Sequence, residues 1–398
     1  MSLSNGRHYL AIPGPSVMPE TVLRAMHRSA PNIYEGELVE VTRSLMPDLR
    51  NVARTAHNVA IYICNGHGAW EASLSNVLAP GDKVLVPTTG RFGHGWAEMA
   101  RGLGIEAEIL EFGRQSPFAP DQIEAALRAD ADHKIKAVLA THVDTSTGVL
   151  NDISALRQAM DAAGHPALLM ADCIASLGCD QFEMDAWGVD VMVAASQKGL
   201  MTPPGMGLVF FNEKAAEARK KMTRVSPYWD WTQRANPEMY YQHFCGTAPT
   251  HHLYGLRAAL DLLKDEGMEA VWHRHDTLAR AIWAAADAWS TEGVLSMNVA
   301  DAAHRSRAVT SLRVGLPHGP KLRAWTDHQA GVTLGIGLGM SEKGDPHGLG
   351  YFRIGHMGHV NAHMVLGALG AIEAAFVAEG IPHGAGGLSA AAKVIAAG

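Results

Sequence analysis

The stretch VDVMVAASQKGLMTPPGMGLVFF, residues 189–211, contains two apolar runs on either side of a short polar segment. The runs at 190–195 and 207–211 have the length and composition of strands that are buried on both faces of a sheet. Lys198 follows the first run directly, and prolines and glycines separate it from the second. A lone lysine there would most often reach out to solvent along an apolar stem. The same position also suits an amine that reacts in a dry crevice.

Five further apolar runs precede this stretch and alternate with segments of helical pattern. They are VAIYIC (59–64), KVLVPT (83–88), EAEILEF (106–112), IKAVLATH (135–142) and ALLMAD (167–172). Strands that alternate with helices indicate βαβ units, and near-continuous apolar strands indicate a sheet covered by helices on both faces. With the two later runs, they predict an α/β fold with a mostly parallel seven-stranded sheet.

The pattern changes in the last third of the chain. A long helical segment at 268–290 is followed by weaker strands, by YFRIGH (351–356) and by a second long helical run. This order predicts a smaller α+β domain. The expected organisation is therefore an N-terminal arm (1–20), a large domain (21–265) and a small C-terminal domain (266–398).

Composition and charge argue against several classes of partner. The chain of 398 residues is 47% hydrophobic and carries a formal net charge of -7, which favours neither nucleic acid nor an anionic membrane surface. No apolar run approaches the roughly 20 residues that span a bilayer. The four cysteines form no CxxC pair and the 21 histidines no HExxH motif. We therefore expect reduced thiols, no metal site and a cytoplasmic location.

Two charged residues stand at the ends of predicted strands. Asp172 ends the run at 167–172, and Lys198 follows the run at 190–195. An aspartate alone would more commonly cap the next turn. Because the carboxyl ends of parallel strands open into one crevice, the pair combines a desolvated amine with an acid. These are the two groups that a pyridoxal phosphate site requires, one to bind the aldehyde and one to hold a protonated ring nitrogen.

The segment NGHGAWEA (65–72) is a candidate phosphate-binding turn. It follows a strand, contains two glycines and opens a helix, so its backbone N–H groups and the helix N-terminus suit an anion. An ordinary βα turn has the same composition. Phe92, in TTGRFGHGW, is a candidate platform for a cofactor ring, although core packing is the commoner role of a phenylalanine.

Four motifs resemble those of the class V, fold-type I pyridoxal-phosphate aminotransferases. They are THVDTSTGV (141–149), ADCIASLG (171–178), ASQKG with the following PPG (195–205), and FRIGHMG (352–358). The resemblance begins at PGPSVMPETVLRAM (13–26) and is nearest to the alanine–, serine– and aspartate–glyoxylate aminotransferase group. It implies a ping-pong transamination from a small amino acid (serine, alanine or aspartate) to glyoxylate or pyruvate.

The resemblance also implies a role for each matching residue. Lys198 would bind the cofactor covalently and move the proton at the substrate Cα, and Asp172 would pair with the ring nitrogen. Arg353 would bind the substrate α-carboxylate through a bidentate pair. The remaining cofactor contacts would be Asn65, Gly66, His67 and Gln197 at the phosphate, Ile174 and Phe92 on the two ring faces, and Ser146 or Thr145 at the ring hydroxyl. Thr247 would reach the phosphate of a neighbouring subunit, which implies a homodimer.

Three features depart from the usual pattern of this family. Asn65 stands where relatives usually carry Ser or Thr, and Phe244 stands where some place a tyrosine. The segment IYEGELVEV (33–41) replaces a His-Arg-Ser-Pro type pattern and is expected to line the substrate end of the pocket.

Two alternatives stay open. One is a pyridoxal-phosphate transaminase of another amine, such as 2-aminoethylphosphonate or pyridoxamine with pyruvate. The other is a non-catalytic protein that binds the cofactor. A cysteine desulfurase is disfavoured, because all four cysteines precede residue 250 and that reaction needs a mobile cysteine in the small domain.

Overall fold

The computed structural model describes residues 2–398 as an α/β structure with two large sheets and one two-stranded sheet. The strands are β1 (Tyr9–Ala11), β2 (Asn58–Tyr62), β3 (Lys83–Thr88), β4 (Glu106–Glu111), β5 (Ile135–Thr141), β6 (Val143–Asp144), β7 (Val149–Leu150), β8 (Leu168–Asp172), β9 (Val191–Ala195), β10 (Gly207–Phe211), β11 (Ser296–Met297), β12 (Val309–Arg313), β13 (Val332–Ile336) and β14 (Tyr351–Gly355). The helices are α1 (Glu20–Met26), α2 (Glu37–Ala53), α3 (Gly66–Val77), α4 (Arg91–Gly102), α5 (Pro120–Ala129), α6 (Ile153–Ala162), α7 (Glu213–Lys220), α8 (Trp231–Ala235), α9 (Thr250–Glu266), α10 (Met268–Trp289), α11 (His318–Ala330), α12 (Ala362–Ala378) and α13 (Gly387–Ala397).

The larger sheet has seven strands in the order β2-β10-β9-β8-β5-β3-β4. All neighbouring pairs are parallel except those of β10, which runs antiparallel to both β2 and β9. These are the seven apolar runs of the sequence, so the predicted mostly parallel sheet is confirmed. Because β10 alone is reversed, the carboxyl ends of β2, β3, β5, β8 and β9 lie along one edge.

Helices cover both faces of this sheet, as the continuous apolar strands predict. Every residue of β8, β9 and β10 is buried. Successive side chains enter two different cores: Leu169 and Met192 face one, while Met170 and Val193 face the other. A strand whose side chains are apolar on both sides has no solvent-facing position, which explains the lack of polar alternation.

Several helices begin at polar residues that satisfy first-turn N–H groups, whereas others, such as α1, α2 and α4, have no side-chain cap. Asn65 caps α3, Asp152 caps α6 and Asn361 caps α12, each with a side-chain oxygen that accepts first-turn backbone N–H bonds. Residues 37–41 open α2, whose buried face packs into the core of the larger sheet and includes Leu45 and Leu49. This helix was not predicted from the sequence.

The smaller sheet has five strands in the order β1-β13-β14-β12-β11. β1 pairs in parallel with β13, so the N-terminal segment adds the edge strand to a sheet otherwise formed by the last third of the chain. Its core includes Phe352 and Phe376 and lies under α10, α12 and α13. Beyond β1, residues 12–16 cross toward the larger sheet, where Ser16 N donates to Gln197 O at 2.9 Å.

Candidate active site

A cavity of about 230 Å³ lies at the edge where the parallel strands end. Loops after five strands of the larger sheet contribute to it. Its lining residues are Asn65, Gly66, His67, Trp70, Phe92, Val143, Thr145, Asp172, Ile174, Ala175, Gln197 and Lys198. Most of the residues proposed from the sequence as cofactor contacts thus surround one space. Ser146, Thr247 and Arg353 are not in its lining.

Lys198 lies just beyond the end of β9. Its Nζ donates a hydrogen bond to the carbonyl of Pro13, and its stem lies so close to Gly14 that a Cβ at that glycine would stand 2.6 Å from Nζ. The pKa of the Lys198 amine is lowered to about 8, chiefly by burial and also by the positive charge of Arg353, while the negative charge of Asp172 opposes the shift. A larger share of neutral amine follows, which is the nucleophilic form.

Asp172 ends β8 with its carboxylate in the cavity and only 3% exposed. Oδ2 accepts the indole N–H of Trp70 at 3.0 Å, and Oδ1 accepts the backbone N–H of Ile174 at 2.8 Å. Burial raises the pKa of this carboxyl to about 7, and the two N–H donors oppose that rise. Within residues 2–398 its hydrogen-bond partners are these neutral donors, so a cation placed beside it would gain a strong partner.

An aromatic wall stands beside Asp172. The rings of His67 and Phe92 contact Trp70 edge-on, with centroids 4.7 and 6.3 Å from the indole. The backbone N–H of Phe92 donates to the buried carboxylate of Asp144 at 2.7 Å, which fixes the start of α4. A planar ring in the cavity would therefore meet aromatic side chains on a rigid wall.

The first turn of α3 forms the end of the cavity nearest His67. Asn65 Oδ1 accepts hydrogen bonds from the backbone N–H groups of His67 and Gly68 at 3.1 and 3.3 Å. An anion bound at this helix end would share these two donors with the Asn65 side chain. Gly66 has no room for a side chain, because a Cβ would stand 2.5 Å from Ile174 Cδ1. Gln197 Oε1 is buried without a hydrogen-bond partner among residues 2–398. Such an unsatisfied polar atom in a cavity indicates that a polar group belongs there.

Thr145 and Ser146, the two residues proposed to contact the ring hydroxyl, have different surroundings in the loop after β5. Ser146 Oγ donates to Asp144 and accepts the N–H of Arg91 at 3.2 Å, whereas Thr145 lines the cavity. The structure therefore places Thr145 at the cavity and Ser146 in the network that holds Asp144.

Arg353 reaches this loop from β14 of the smaller sheet. Its Nε donates to Ile336 O and its Nη1 to Thr145 O, both at 2.7 Å. The side chain is buried, and burial lowers the pKa of its guanidinium to about 10, while Asp144 opposes this shift. No carboxylate of residues 2–398 forms an ion pair with it. A buried guanidinium without an anionic partner is suited to bind a ligand carboxylate.

Thr247 lies in an exposed loop before α9, and the same loop holds Cys245 with a φ of 52°. It is not among the cavity-lining residues of this chain. Phe244, three residues earlier, is buried against Tyr240 and His243. None of residues 33–41 lines the cavity either, and Tyr34 among them is 85% exposed.

Three residues of the site carried no assignment from the sequence. They are Gly14, which contacts the lysine stem, Trp70, which bonds Asp172, and Asp144, which holds the start of α4. Gly14 lies in the PGPS segment (13–16) and Trp70 in NGHGAWEA (65–72). The residues that they contact, Lys198 and Asp172, lie far away in the chain. No local pattern identifies such contacts.

A second cavity adjoins the candidate site. A cavity of about 600 Å³ lies between α3 and α4 and shares the wall of His67, Trp70 and Phe92 with the smaller one. The smaller cavity is the candidate site because the buried lysine and aspartate face it. Within residues 2–398 no cluster of His, Cys, Asp and Glu has metal-binding geometry, and no helix has the length and apolarity to span a bilayer.

Comparison with known proteins gives a consistent set of relatives. The family described as "Aminotransferase class-V" matches residues 8–340. A serine–glyoxylate aminotransferase of Methylorubrum extorquens is 37% identical over 94% of this chain and 92% of the relative. An L-aspartate–glyoxylate aminotransferase of Paracoccus denitrificans is 35% identical over 96% of this chain and 94% of the relative. The crystal structure of pyridoxamine–pyruvate aminotransferase from Mesorhizobium loti superposes with a TM-score of 0.88 and 25% identity over 100% of both chains.

Proposed function

Because the chain belongs to the class-V aminotransferase family, we propose that it transfers the amino group of serine, alanine or aspartate to glyoxylate, or to pyruvate, by a ping-pong mechanism. Family members are in general dependent on pyridoxal phosphate. We propose that this chain binds the cofactor in the cavity at the edge of the larger sheet. The relatives named above, which use serine or aspartate with glyoxylate, support this choice of substrates.

The observation that carries the proposal is the pair of Lys198 and Asp172 at one cavity. The amine has a lowered pKa and the carboxyl a raised pKa, both chiefly because of burial. A protonated ring nitrogen beside Asp172 would relieve the cost of its buried charge. A covalent bond to the Lys198 amine would remove the charge that burial disfavours. The residues present therefore fit the cofactor.

Each residue has a distinct task in the proposed reaction. Bound pyridoxal phosphate supplies the electron sink on which amino-group transfer depends. Lys198 Nζ would anchor it and, once free, would remove the proton from the substrate Cα as a general base and deliver it to the cofactor. Asp172 holds the proton on the ring nitrogen. Arg353 orients the substrate by binding its α-carboxylate.

The phosphate would lie at the N-terminus of α3. Asn65, Gly66, His67 and Gln197 surround that end of the cavity, and the helix N-terminus favours negative charge there. Phe92 and Ile174 would face the ring, and Thr145 or its neighbour Ser146 would approach its hydroxyl. The aromatic wall and the buried strand ends would keep water from the reacting atoms.

The assembly and the domain organisation extend this proposal. We propose a homodimer in which Thr247 of each chain contacts the phosphate bound by the other, which accounts for its exposed position here. We also propose the domain boundaries expected from the sequence, which are an arm (1–20), a large domain (21–265) and a small domain (266–398). A cytoplasmic location agrees with the four free thiols.

A donor and acceptor panel tests the function. The purified protein should acquire the absorbance of the bound cofactor, lose it when serine, alanine or aspartate is added, and recover it with glyoxylate or pyruvate. The Lys198→Ala variant should retain some cofactor affinity and lose turnover by several orders of magnitude, because no other amine lines the cavity. Transamination by this variant at near the wild-type rate would refute the role of Lys198.

Pyridoxamine with pyruvate is the second candidate substrate pair. The similarity to the Mesorhizobium loti pyridoxamine–pyruvate aminotransferase, which extends over the whole chain, supports this candidate. Pyridoxamine has no α-carboxylate, so the half-reaction in which it gives up its amino group, measured without pyruvate, should not require Arg353, whereas the half-reaction with an amino-acid donor should. A panel in which pyridoxamine alone discharges its amino group to pyruvate would replace the first assignment by the second.

A further inference from the structure

Trp70 is the side chain that bonds the cavity carboxylate. Its indole Nε1–H donates to Oδ2 of Asp172 at 3.0 Å, and both residues are buried, with Trp70 only 1% exposed. Oδ1 accepts the backbone N–H of Ile174. Each oxygen of the Asp172 carboxylate therefore accepts one hydrogen bond. Of the two donors, only the indole of Trp70 belongs to a side chain, so only this bond can be removed by substitution.

The direction of this indole N–H is fixed by packing on several sides. Trp70 stacks on Trp96 with centroids 6.0 Å apart and planes 15° apart. The rings of His67 and Phe92 meet it edge-on. A buried ring held in this way cannot rotate its N–H away from Asp172 without repacking the wall, so the donor is preorganised.

We propose that Trp70 is a positioning residue that keeps the Asp172 carboxylate ionised and oriented toward the cofactor ring nitrogen. A hydrogen bond to the charged form of a carboxyl stabilises that form, and the loss of a buried donor leaves the charge poorly solvated. The ionised carboxylate in turn keeps the proton on the ring nitrogen. For its effect on catalysis this inference rests on the proposed function, but the contact itself does not.

A purely structural role for Trp70, as a filler of the wall, makes different predictions. Trp70→Phe keeps an aromatic ring and removes the donor. Trp96→Phe is the matched control, since Trp96 is also buried in the same stack and its Nε1 has no hydrogen-bond partner among residues 2–398. If only packing mattered, the two variants would have similar effects on the cofactor and on turnover.

The first experiment uses the protein without cofactor. The indole ¹H–¹⁵N resonance of Trp70, assigned by its absence in Trp70→Phe, should shift between about pH 5 and pH 9 as Asp172 ionises. Asp172→Asn should remove the part of this shift that comes from ionisation of Asp172. His67, Lys198 and Asp144 are the titratable groups facing this pair, and all remain in that variant, so the difference isolates Asp172. An indole shift that is the same in wild type and Asp172→Asn would overturn the proposed contact.

The second experiment uses the holoenzyme with ¹⁵N-labelled pyridoxal phosphate. Trp70→Phe should move the ring-nitrogen resonance toward that of the unprotonated ring and lower kcat by about 10- to 100-fold, with little change in KM. Trp96→Phe should leave both near wild type. Equal effects of the two variants, or a protonated ring nitrogen in Trp70→Phe, would overturn the positioning role. A failure of the proposed function would instead appear as a wild-type protein that neither binds the cofactor nor transaminates, with the indole titration intact.

Discussion

Arg353 is the residue whose surroundings bear most directly on substrate choice. It is a buried guanidinium whose Nε and Nη1 donate hydrogen bonds to the carbonyls of Ile336 and Thr145. Backbone carbonyls fix the plane of the side chain but do not neutralise its charge. A ligand carboxylate would supply the missing anion, and the planar fork favours two parallel bonds.

Arg353→Ala should raise KM for every α-amino acid donor by about 100-fold or more, because the charge-assisted bonds to the carboxylate are lost. The KM of Arg353→Lys should lie between those of the wild type and of Arg353→Ala, since lysine keeps the charge but lacks the planar guanidinium. Steady-state kinetics with serine, alanine and aspartate measures the effect. Cofactor affinity, followed by absorbance, is the control and should change little. An unchanged KM for all three donors would remove Arg353 from the substrate site.

The N-terminal segment connects the two large sheets and passes over Lys198. β1 is an edge strand of the smaller sheet, and residues 12–16 continue to the loop of Lys198, where Ser16 bonds the carbonyls of both Gln197 and Lys198. Gly14 has a φ of 88° and leaves no space for a side chain next to the lysine stem. The segment thus confines the direction in which the amine points.

Gly14→Ala should lower turnover by about 10- to 100-fold, because the new methyl group would displace the Lys198 side chain from its productive position. Single-turnover absorbance changes with an amino-acid donor would measure this loss. The backbone strain of a left-handed alanine should also cost about 1 kcal/mol of folding free energy.

Gly81→Ala separates these two effects. Gly81 has a φ of 94°, and a Cβ there meets nothing within 4 Å. It should show a similar loss of stability in thermal unfolding and no loss of turnover. If both alanine variants lose turnover equally, contact with Lys198 is not the cause.

At the scale of the whole molecule, the cavity depends on parts of the chain that belong to different sheets. Strand ends of the larger sheet provide Lys198 and Asp172, the N-terminal segment covers the lysine, and β14 of the smaller sheet brings Arg353 to Thr145. Thr247 is exposed and apart from this cavity. A second chain would be needed to bring it to a phosphate.

Mixing two inactive variants tests the shared site. Thr247→Glu should weaken cofactor binding, because a carboxylate would face the phosphate of the neighbouring chain. Refolding it together with Lys198→Ala should restore about one-quarter of wild-type activity, since half of the dimers are mixed and one site in each of these has both native residues. Each variant refolded alone is the control. No recovery, with a normal dimer by sedimentation, would show that Thr247 acts within its own chain or not at all.

The seven strands of the larger sheet and the position of Lys198 and Asp172 at their ends were predictable from the sequence. Strand length and apolar composition can be read from the local sequence. The position of a site at the carboxyl ends of parallel strands follows from the topology that the strand order implies. The smaller sheet was predictable in outline, from weaker strands and two long helices. The pairing of β1 was not, since a strand of three residues leaves the choice of partner to tertiary packing. Helix α2 was not predicted either, although Leu38, Leu45 and Leu49 have a helical spacing.

The remaining parts of the candidate site were decided by the tertiary structure. Trp70 bonds an aspartate 102 residues away, Arg353 bonds a carbonyl 208 residues away, and Tyr9 of β1 pairs with Val332. No periodicity in the sequence specifies such contacts, because they arise only when separate elements pack against one another. The sequence alone therefore indicated the two groups that we propose for the chemistry, while folding determined which donor bonds the acid, which glycine contacts the lysine and where the guanidinium without an ion-pair partner lies. Contact between distant residues depends on packing geometry, and local composition does not encode it.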